Sequence, residues 1–361
     1  MRTKLLLSLL LLCGALGAVA QSTLVATLSH DGSMKAYYGP TALSQAHDAA
    51  VDGDVITLSG GTFTGCDITK AITLRGAGMI GNLETQTFPT YITAPTNGST
   101  ITISSGSTTH PLVMEGVNFR STTYFSGEFT KPVFQKCKFT NIAGDVDSQY
   151  IFHSATFINC LITSLSAWGT ATIINSYVVN PQFQELYDKN DIAYPSFVDM
   201  HNCVICLTGL KLDGYKQQTS FSNCIFATTA IYYNSCPGEF GVGSQVYNCV
   251  FTGAHTNGLI FKNIPAVNNN TVVNDMAAVF KVYILNYLSY SNTFYDELSL
   301  ELTETAAQTY LGTDGTQVGM YGGSQPYDPF TTTLHIVKCN VASKTTADGK
   351  LPVDIEVSGN K

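Results

Sequence analysis

The stretch Asn223-Cys224-Ile225-Phe226 decides the fold, because the chain repeats this pattern many times. Close copies begin at Asn159, Asn175, Asn202 and Asn248. Counted at the residue equivalent to Cys224, strong and weak copies fall at positions 117, 137, 160, 176, 203, 224, 249, 270 and 293. A spacing of roughly 22 residues, with loops of variable length between copies, is typical of a solenoid built from stacked repeats.

Apolar residues alternate with other residues on both sides of each repeated Asn. The residue two before the Asn is apolar, as at Met200, Phe221 and Val246. The residue two after the Cys is apolar as well, as at Ile205 and Phe226. Alternation with a period of two predicts a strand on each side, and Asn accepts the left-handed backbone of a sharp corner. Each repeat is therefore predicted to form one coil of a parallel β-helix, whose stacked Asn side chains hydrogen-bond to one another.

The segment before the repeats begins with a short amphipathic pattern. Apolar residues from Leu43 to Val51 recur at helical spacing behind Pro40, which suits the start of a helix. This helix is predicted to cap the open end of the first coil. His47, which lies on it, is expected at the surface.

The residues that follow resemble a known superfamily. Gly53-Asp54-Val55-Ile56-Thr57-Leu58, Gly61-Thr62-Phe63 and Ile72-Thr73-Leu74-Arg75-Gly76 are similar to the N-terminal coils of pectin-lyase-like right-handed parallel β-helix proteins. Together with the Asn-Cys repeats, the resemblance covers residues 40–300. The resemblance implies a right-handed parallel β-helix and a polysaccharide as the class of ligand. It does not specify the activity, because one fold hosts many activities.

The predicted fold class is therefore all-β: a single-stranded right-handed parallel β-helix with an N-terminal cap helix and a C-terminal β-hairpin cap. Residues 1–20 would form a signal peptide, 21–300 the β-helix with its N-terminal cap, and 301–361 a turn-rich segment and the hairpin. The hairpin is predicted from two alternating stretches, 334–341 and 351–357, on either side of Asp348-Gly349. It is expected to pack on the last coil.

Residues 1–20 have the pattern of a cleaved secretory signal. Arg2 and Lys4 precede an apolar run, and Ala18-Val19-Ala20 supplies small residues for cleavage. Removal of Arg2 and Lys4 reduces 18 basic residues to 16 against 26 acidic ones, a net charge of −10. The predicted location is thus outside the cell, on its surface or in the periplasm, without membrane insertion. An acidic chain also argues against nucleic acid as a partner.

Five cysteines occupy the repeated position: Cys137, Cys160, Cys203, Cys224 and Cys249. Their separations are unlike those of paired zinc ligands, so the preferred interpretation is a stack of small buried thiols. A metal site or disulfides are the alternative. The disulfide state of four others stays open: Cys66, Cys206, Cys236 and Cys339.

The resemblance also directs the search for catalytic residues. Lyases of this superfamily pair calcium-binding Asp residues with an Arg or Lys base, whereas its hydrolases cluster Asp residues in motifs that this chain lacks. Asp145 and Asp147, two residues apart, are the candidates for calcium binding or for an acid–base pair, with a solvated loop as the alternative. Lys189, Lys211 and Asp213 complete the catalytic candidates. No cofactor other than calcium is predicted.

A second set of residues is predicted to form a sugar-binding groove. If the strand that follows each Asn-Cys strand stacks in register from coil to coil, polar and aromatic side chains align along the solenoid, beside side chains from the longest loop. The residues concerned are His153, Tyr187, Asp188, Lys211, Asp213, Tyr232 and Asn234.

The favoured function is polysaccharide binding along the elongated side of a secreted or surface protein. A polysaccharide lyase or glycoside hydrolase with an atypical site is the second interpretation, and a structural or adhesive surface protein is the third.

Overall fold

The computed structural model describes most of the chain from residue 24 onward. The described residues are 24–83, 87–95, 100–104, 107, 109–125, 129–144, 152–167, 169–179, 181–183, 186–187, 193–194, 197–207, 218–228, 238–239, 245–253, 261–262, 268–273, 275–282, 300–331, 335–341, 344, 346, 349–350 and 353–358. Their strands are numbered β1 to β31 and their α-helices α1 and α2, both in chain order.

Two long sheets form the body of the molecule. Sheet A runs in the order β2, β1, β3, β5, β8, β11, β13, β16, β21, β23 and β26, with β10 paired beside β13. From β3 to β26 its neighbouring strands are parallel. Its strands are β1 Val25–His30, β2 Ser33–Tyr38, β3 Val55–Leu58, β5 Thr73–Arg75, β8 Val113–Glu115, β10 Phe129–Thr130, β11 Val133–Gln135, β13 Phe152–Ile158, β16 Gly169–Ile174, β21 Phe197–His201, β23 Gln218–Ser222 and β26 Gln245–Tyr247.

Sheet B has 13 parallel strands, and its main path leads from β4 to β29. Its strands are β4 Gly61–Thr64, β6 Thr90–Thr93, β7 Thr100–Ile103, β9 Val117–Phe125, β12 Lys138–Gly144, β14 Leu161–Ile162, β15 Leu165–Ala167, β17 Tyr177–Val179, β18 Pro181–Phe183, β22 Val204–Leu207, β24 Ile225–Thr228, β27 Val250–Gly253 and β29 Thr271–Val273. Each coil gives one strand to sheet A, turns a corner and gives the next to sheet B. The parallel, solenoid-like β architecture expected from the repeats is thus confirmed.

The repeated Asn forms the corner between the two sheets. Its backbone is left-handed in every described copy: φ is 53° at Asn159, 47° at Asn175, 51° at Asn202, 56° at Asn223, 49° at Asn248 and 58° at Asn269. Lys136 and Gly116 hold the same position in earlier coils, with φ of 52° and 67°. The copy at position 293 lies outside the described residues.

Stacked side chains between the sheets form the main core. Phe226 and Phe251, which pair across neighbouring coils, stack with ring centroids 4.7 Å apart. The five repeated cysteines are buried here as free thiols. Burial raises the pKa of Cys160 to about 12, so its thiol stays protonated at neutral pH. The prediction of a buried thiol stack is confirmed.

A second apolar cluster covers the outer side of sheet B. Outward residues such as Val204 and Ile225 pack with Phe280, Val318 and Met320 from later in the chain. We call residues 300–331 the strap, because this segment runs along the Asn corners. It contains α2 (Glu304–Thr309), and a short 3₁₀-helix at Met276–Ala278 precedes it.

Corner side chains hold the strap. Asn175 Nδ2 donates to the carbonyl oxygens of Met320 and Gly322, at 2.8 and 2.6 Å. Asn223 Oδ1 accepts from the backbone N–H of Thr313 at 3.2 Å. The predicted bonding between corner Asn side chains also occurs, and Asn269 Nδ2 donates to the Oδ1 of Asn248 at 2.6 Å.

The N-terminal residues differ in part from the expectation. The predicted helix is present as α1, Ala42–Ala49. Val51 follows its end and is exposed. The expectation for His47 was wrong: the side chain is buried, and its Nε2 accepts the backbone N–H of Thr69 at 3.2 Å. Strands β1 and β2 extend sheet A by antiparallel pairing, an extension that was not predicted from the sequence.

Three small two-stranded sheets complete the described structure. They pair β19 Leu186–Tyr187 with β20 Ala193–Tyr194, β25 Gly238–Glu239 with β28 Phe261–Lys262, and β30 His335–Val341 with β31 Val353–Ser358. The last is the predicted antiparallel hairpin. Just before it, Thr331 Oγ1 donates to the carbonyl of Ala77 near the start of the solenoid. The packing of the hairpin on the last coil and the predicted domain boundaries stay predictions.

Membrane-spanning helices are not found in the part of the chain that the structure describes.

Candidate functional site

The residues proposed from the sequence fall mainly outside the described part of the chain. This applies to Asp145, Asp147, Asp188, Lys189, Lys211, Asp213, Tyr232 and Asn234. The backbone of His153 lies in β13 opposite Thr130, and that of Tyr187 lies in β19 opposite Ala193. The proposals of a calcium or catalytic pair and of a groove at these residues stay predictions.

The described residues bring a different set of side chains together on the outer face of sheet A. Because side chains alternate along a strand, burial of Val198 and Met200 in the core turns Phe197, Asp199 and His201 outward. The same alternation turns Ser220 and Ser222 outward from β23, and Gln245 and Tyr247 from β26. We call these residues the outward patch: Phe197, Asp199, His201, Ser220, Ser222, Gln245 and Tyr247.

Strand pairing arranges the outward patch in rows. Asp199 lies opposite Ser220, which lies opposite Gln245 on the next strand. His201 lies opposite Ser222, which in turn lies opposite Tyr247. Since parallel strands are about 4.8 Å apart, each row places three side chains within about 10 Å.

Three of these residues form a connected chain of hydrogen bonds. His201 Nε2 lies 2.7 Å from Asp199 Oδ2, and His201 Nδ1 lies 2.5 Å from Ser222 Oγ. The side chains of His201 and Asp199 are 37% and 25% exposed, so solvent and ligands can reach them.

Both titratable groups have shifted pKa values. The hydrogen bond from His201 to Asp199 raises the pKa of His201 above its ordinary value, against an opposing effect of partial burial. For Asp199, partial burial alone would raise the pKa, but the hydrogen bond and charge of His201, with the hydroxyl of Ser220, bring it below the ordinary value. Asp199 is therefore ionised at neutral pH and holds the orientation of the imidazole.

Two large apolar side chains flank these polar groups. Phe197 is 40% exposed and Tyr247 is 39% exposed. Among the side chains that the structure describes on the parallel strands of sheet A, no other large apolar side chain is this exposed. Aromatic rings beside hydrogen-bonding groups can bind a polar ligand, because the rings offer apolar area and the polar groups can form hydrogen bonds with it.

The sequence contained a signal for this site. The apolar residues two before each Asn were recognised as inward, so their immediate neighbours had to face outward. Applied to the repeats that end at Asn202, Asn223 and Asn248, this rule lists Asp199, His201 and the rest of the outward patch. The groove predicted from the sequence lies two strands later in each coil, beyond the strand that follows the corner, so these residues were not among its candidates.

Other described polar clusters serve the fold. Arg75 Nε lies 3.7 Å from Glu115 Oε2 on the same face of sheet A, and Arg120 stacks on the ring of Tyr91 at 3.8 Å. Among the described residues, no group of three or more His, Cys, Asp or Glu side chains is arranged to hold a metal ion. No protein-family model, curated protein or solved structure matches the chain.

Proposed function

We propose that this protein is exported to the cell surface or beyond and binds polysaccharide along the outer face of sheet A. One observation carries the proposal: exposed Phe197 and Tyr247 stand at opposite corners of a cluster of hydrogen-bonding side chains. Aromatic rings offer flat apolar area for the faces of sugar rings, and the carboxylate, imidazole and hydroxyl groups can bond to sugar hydroxyls.

The dimensions of the outward patch suit an extended polymer. Phe197 and Tyr247 are separated by two strand spacings across the sheet and by four residues along it. With about 4.8 Å per strand and about 3.3 Å per residue, their Cα atoms lie roughly 16 Å apart. A ligand that reaches both rings must therefore consist of several sugar units.

The charge of the outward patch favours a neutral glycan. Asp199 is its acidic residue, and His201 compensates that charge once it is protonated. The rest of the patch is uncharged, and the complete chain has a net charge of −8. A polyanionic glycan would meet electrostatic repulsion here, whereas a neutral one would not.

The finer features of the fold belong to the same proposal. Crossover connections between parallel strands are right-handed in about 98% of cases, which supports a right-handed β-helix. The N-terminal residues from Gly53 to Gly76 support membership of the pectin-lyase-like superfamily, and the pattern of residues 1–20 supports export through a signal peptide. The proposal also includes that α1 and the β30–β31 hairpin cap the two ends of the solenoid.

The test is a screen of the purified protein against plant, host and microbial glycans, with and without calcium. Binding would be measured by calorimetry, and cleavage by the release of reducing or unsaturated ends. We expect binding of at least one neutral glycan without cleavage of its backbone. Tyr247→Ala should weaken that binding about tenfold, which corresponds to roughly 1.4 kcal/mol.

Phe88→Ala is the matched control, because Phe88 is also an exposed aromatic residue but lies elsewhere, near Gly60. Its affinity should equal that of the wild type. New chain ends would support the lyase or hydrolase alternative and direct mutagenesis to Asp145, Asp147 and Lys189. No binding across the panel would favour a structural or adhesive protein.

A further inference from the structure

The hydrogen-bonded chain in the outward patch has the order of a nucleophile, a base and an orienting carboxylate. Ser222 Oγ lies 2.5 Å from His201 Nδ1, and Asp199 Oδ2 lies 2.7 Å from His201 Nε2. Ionised Asp199 accepts the Nε2–H of neutral His201, which leaves the lone pair of Nδ1 directed at the hydroxyl of Ser222. The hydroxyl of Ser222 then donates a hydrogen bond to Nδ1.

From this arrangement we infer that Ser222 is the nucleophile of an acyl transfer reaction, with His201 as its general base and Asp199 as the residue that positions His201. The three side chains have the connectivity of an activated serine, because the imidazole of His201 is in direct hydrogen-bond contact with both Ser222 and Asp199. They lie on two adjacent parallel strands, so the sheet fixes their relative positions.

The next strand supplies donors for the developing negative charge. Tyr247 lies directly opposite Ser222, and Gln245 lies diagonally from it. Cα atoms at such positions are separated by about 4.8 Å and about 7–8 Å, within reach of long side chains. The phenol of Tyr247 and the amide of Gln245 can therefore donate hydrogen bonds to an oxyanion formed on Ser222.

The reaction balances with water as the second reactant. Ser222 Oγ forms a bond to the carbonyl carbon of an ester while its proton moves to His201 Nδ1. The bond from that carbon to the alcohol oxygen breaks, and the alcohol leaves with the proton from Nδ1. Water then attacks the acyl-serine, gives one proton to His201 and releases the carboxylic acid, and Ser222 recovers its proton from His201.

The class of substrate follows from the surroundings of Ser222. The site is an open face of a sheet, so a small acyl group carried on a polymer can reach it. The choice of a sugar O-acyl ester rests on the proposed polysaccharide binding, whereas the assignment of the nucleophile does not. Removal of such groups would leave the sugar backbone intact.

The first test uses a fluorophosphonate probe, with the labelled residue identified by mass spectrometry, and p-nitrophenyl acetate as a simple ester. We expect labelling at Ser222 and ester hydrolysis, both lost in Ser222→Ala. His201→Gln should lower hydrolysis by about a hundredfold or more. The control is Gln135→Ala, since Gln135 also directly precedes a corner residue on sheet A but lies four strands away in β11. This variant should keep the wild-type rate.

A pH profile tests the role of Asp199. The base must be neutral, and the pKa of His201 is raised above 6.5, so hydrolysis should increase as the pH rises through a midpoint above 6.5. Asp199→Asn removes the partner that raises this pKa, so the midpoint should move down and the maximal rate should fall. Among the described residues, the other titratable groups near His201 are Cys224, buried after β23, and Tyr247.

The outcomes separate this inference from the proposed function. Absence of probe labelling at Ser222 in the folded wild-type protein would overturn the assignment even if glycans bind normally, and so would labelling that survives in Ser222→Ala. Labelling and hydrolysis at Ser222 without glycan binding would support the nucleophile and contradict polysaccharide binding.

Discussion

Substitution of Asn175 by Ala should detach the strap from the corner of the solenoid. Asn175 is buried and has a left-handed backbone conformation, and its side-chain amide donates hydrogen bonds to the carbonyl oxygens of Met320 and Gly322. Ala loses both hydrogen bonds and is disfavoured in the left-handed region. The backbone change costs about 1 kcal/mol. The carbonyl of Gly322 loses its donor at a cost of about 2 kcal/mol, and the carbonyl of Met320, which keeps the N–H of Tyr327 at 2.7 Å, loses one of two hydrogen bonds at a cost of about 1 kcal/mol. The expected loss is therefore about 4 kcal/mol.

Two further variants separate the cost of the backbone conformation from the cost of the lost hydrogen bonds. Asn175→Gly accepts the left-handed backbone without strain, so it should lose only the hydrogen bonds, about 3 kcal/mol. Asn269 is the matched control, because it has the same corner conformation, is exposed and bonds to Asn248 rather than to the strap. Asn269→Ala should cost about 1.5 kcal/mol.

Hydrogen exchange is the appropriate assay, because solenoids often do not unfold in one step and exchange reports local opening. In Asn175→Ala, amide protons of the strap should exchange about 10³-fold faster than in the wild type, since each 1.4 kcal/mol corresponds to a factor of ten. Equal exchange of the strap in Asn175→Ala and Asn269→Ala would refute the conclusion that corner Asn residues anchor it.

Three further predictions concern the same framework. Lys136→Ala should lower the free energy of unfolding by about 2 kcal/mol in urea titrations, because it removes a buried ammonium group that lies 2.8 Å from Asp328; an unchanged midpoint would contradict this. Gly116→Ala should destabilise the protein by at least about 1 kcal/mol, because φ is 67° and an added Cβ would clash with the side chain of Thr331; thermal unfolding measures this loss, and an unchanged midpoint counts against the close contact. Cys160 should resist iodoacetamide in the native protein at pH 8 and react after denaturation, since its pKa is raised to about 12; mass spectrometry of tryptic peptides would detect native labelling, the contrary result.

The repeats allowed the solenoid to be predicted because its determinants are local. A left-handed corner favours Asn or Gly, and a strand with one buried side needs alternating apolar residues. Both requirements recur in the same few residues, so the corner at Asn223 and the buried thiol of Cys224 could be predicted without knowledge of the rest of the fold.

The strap could not be predicted from such local patterns. Its bonds join residues far apart in sequence, such as Asn175 with Met320. The buried state of His47 has the same origin, because its partner, Thr69, belongs to a later segment. Short amphipathic patterns show which side of a helix is apolar, but not which later residues cover its polar side.

The outward patch was not predicted because the groove was placed on strands whose register could not be fixed from the sequence. The proposed groove required the strands that follow each Asn-Cys strand to align, and a shift by one residue turns every side chain to the opposite face. The strands before each corner have a register fixed by the buried residues Met200, Phe221 and Val246. Outward residues on these strands can therefore be assigned with less error.

The most direct test of the central claim compares the wild-type protein with the double variant Phe197→Ala/Tyr247→Ala on one panel of neutral glycans. We predict that the wild type binds at least one glycan and that the double variant loses about a hundredfold in affinity, or about 2.7 kcal/mol, with an unchanged unfolding midpoint. Binding of equal strength by both proteins, or by neither, would contradict polysaccharide recognition at the outward patch.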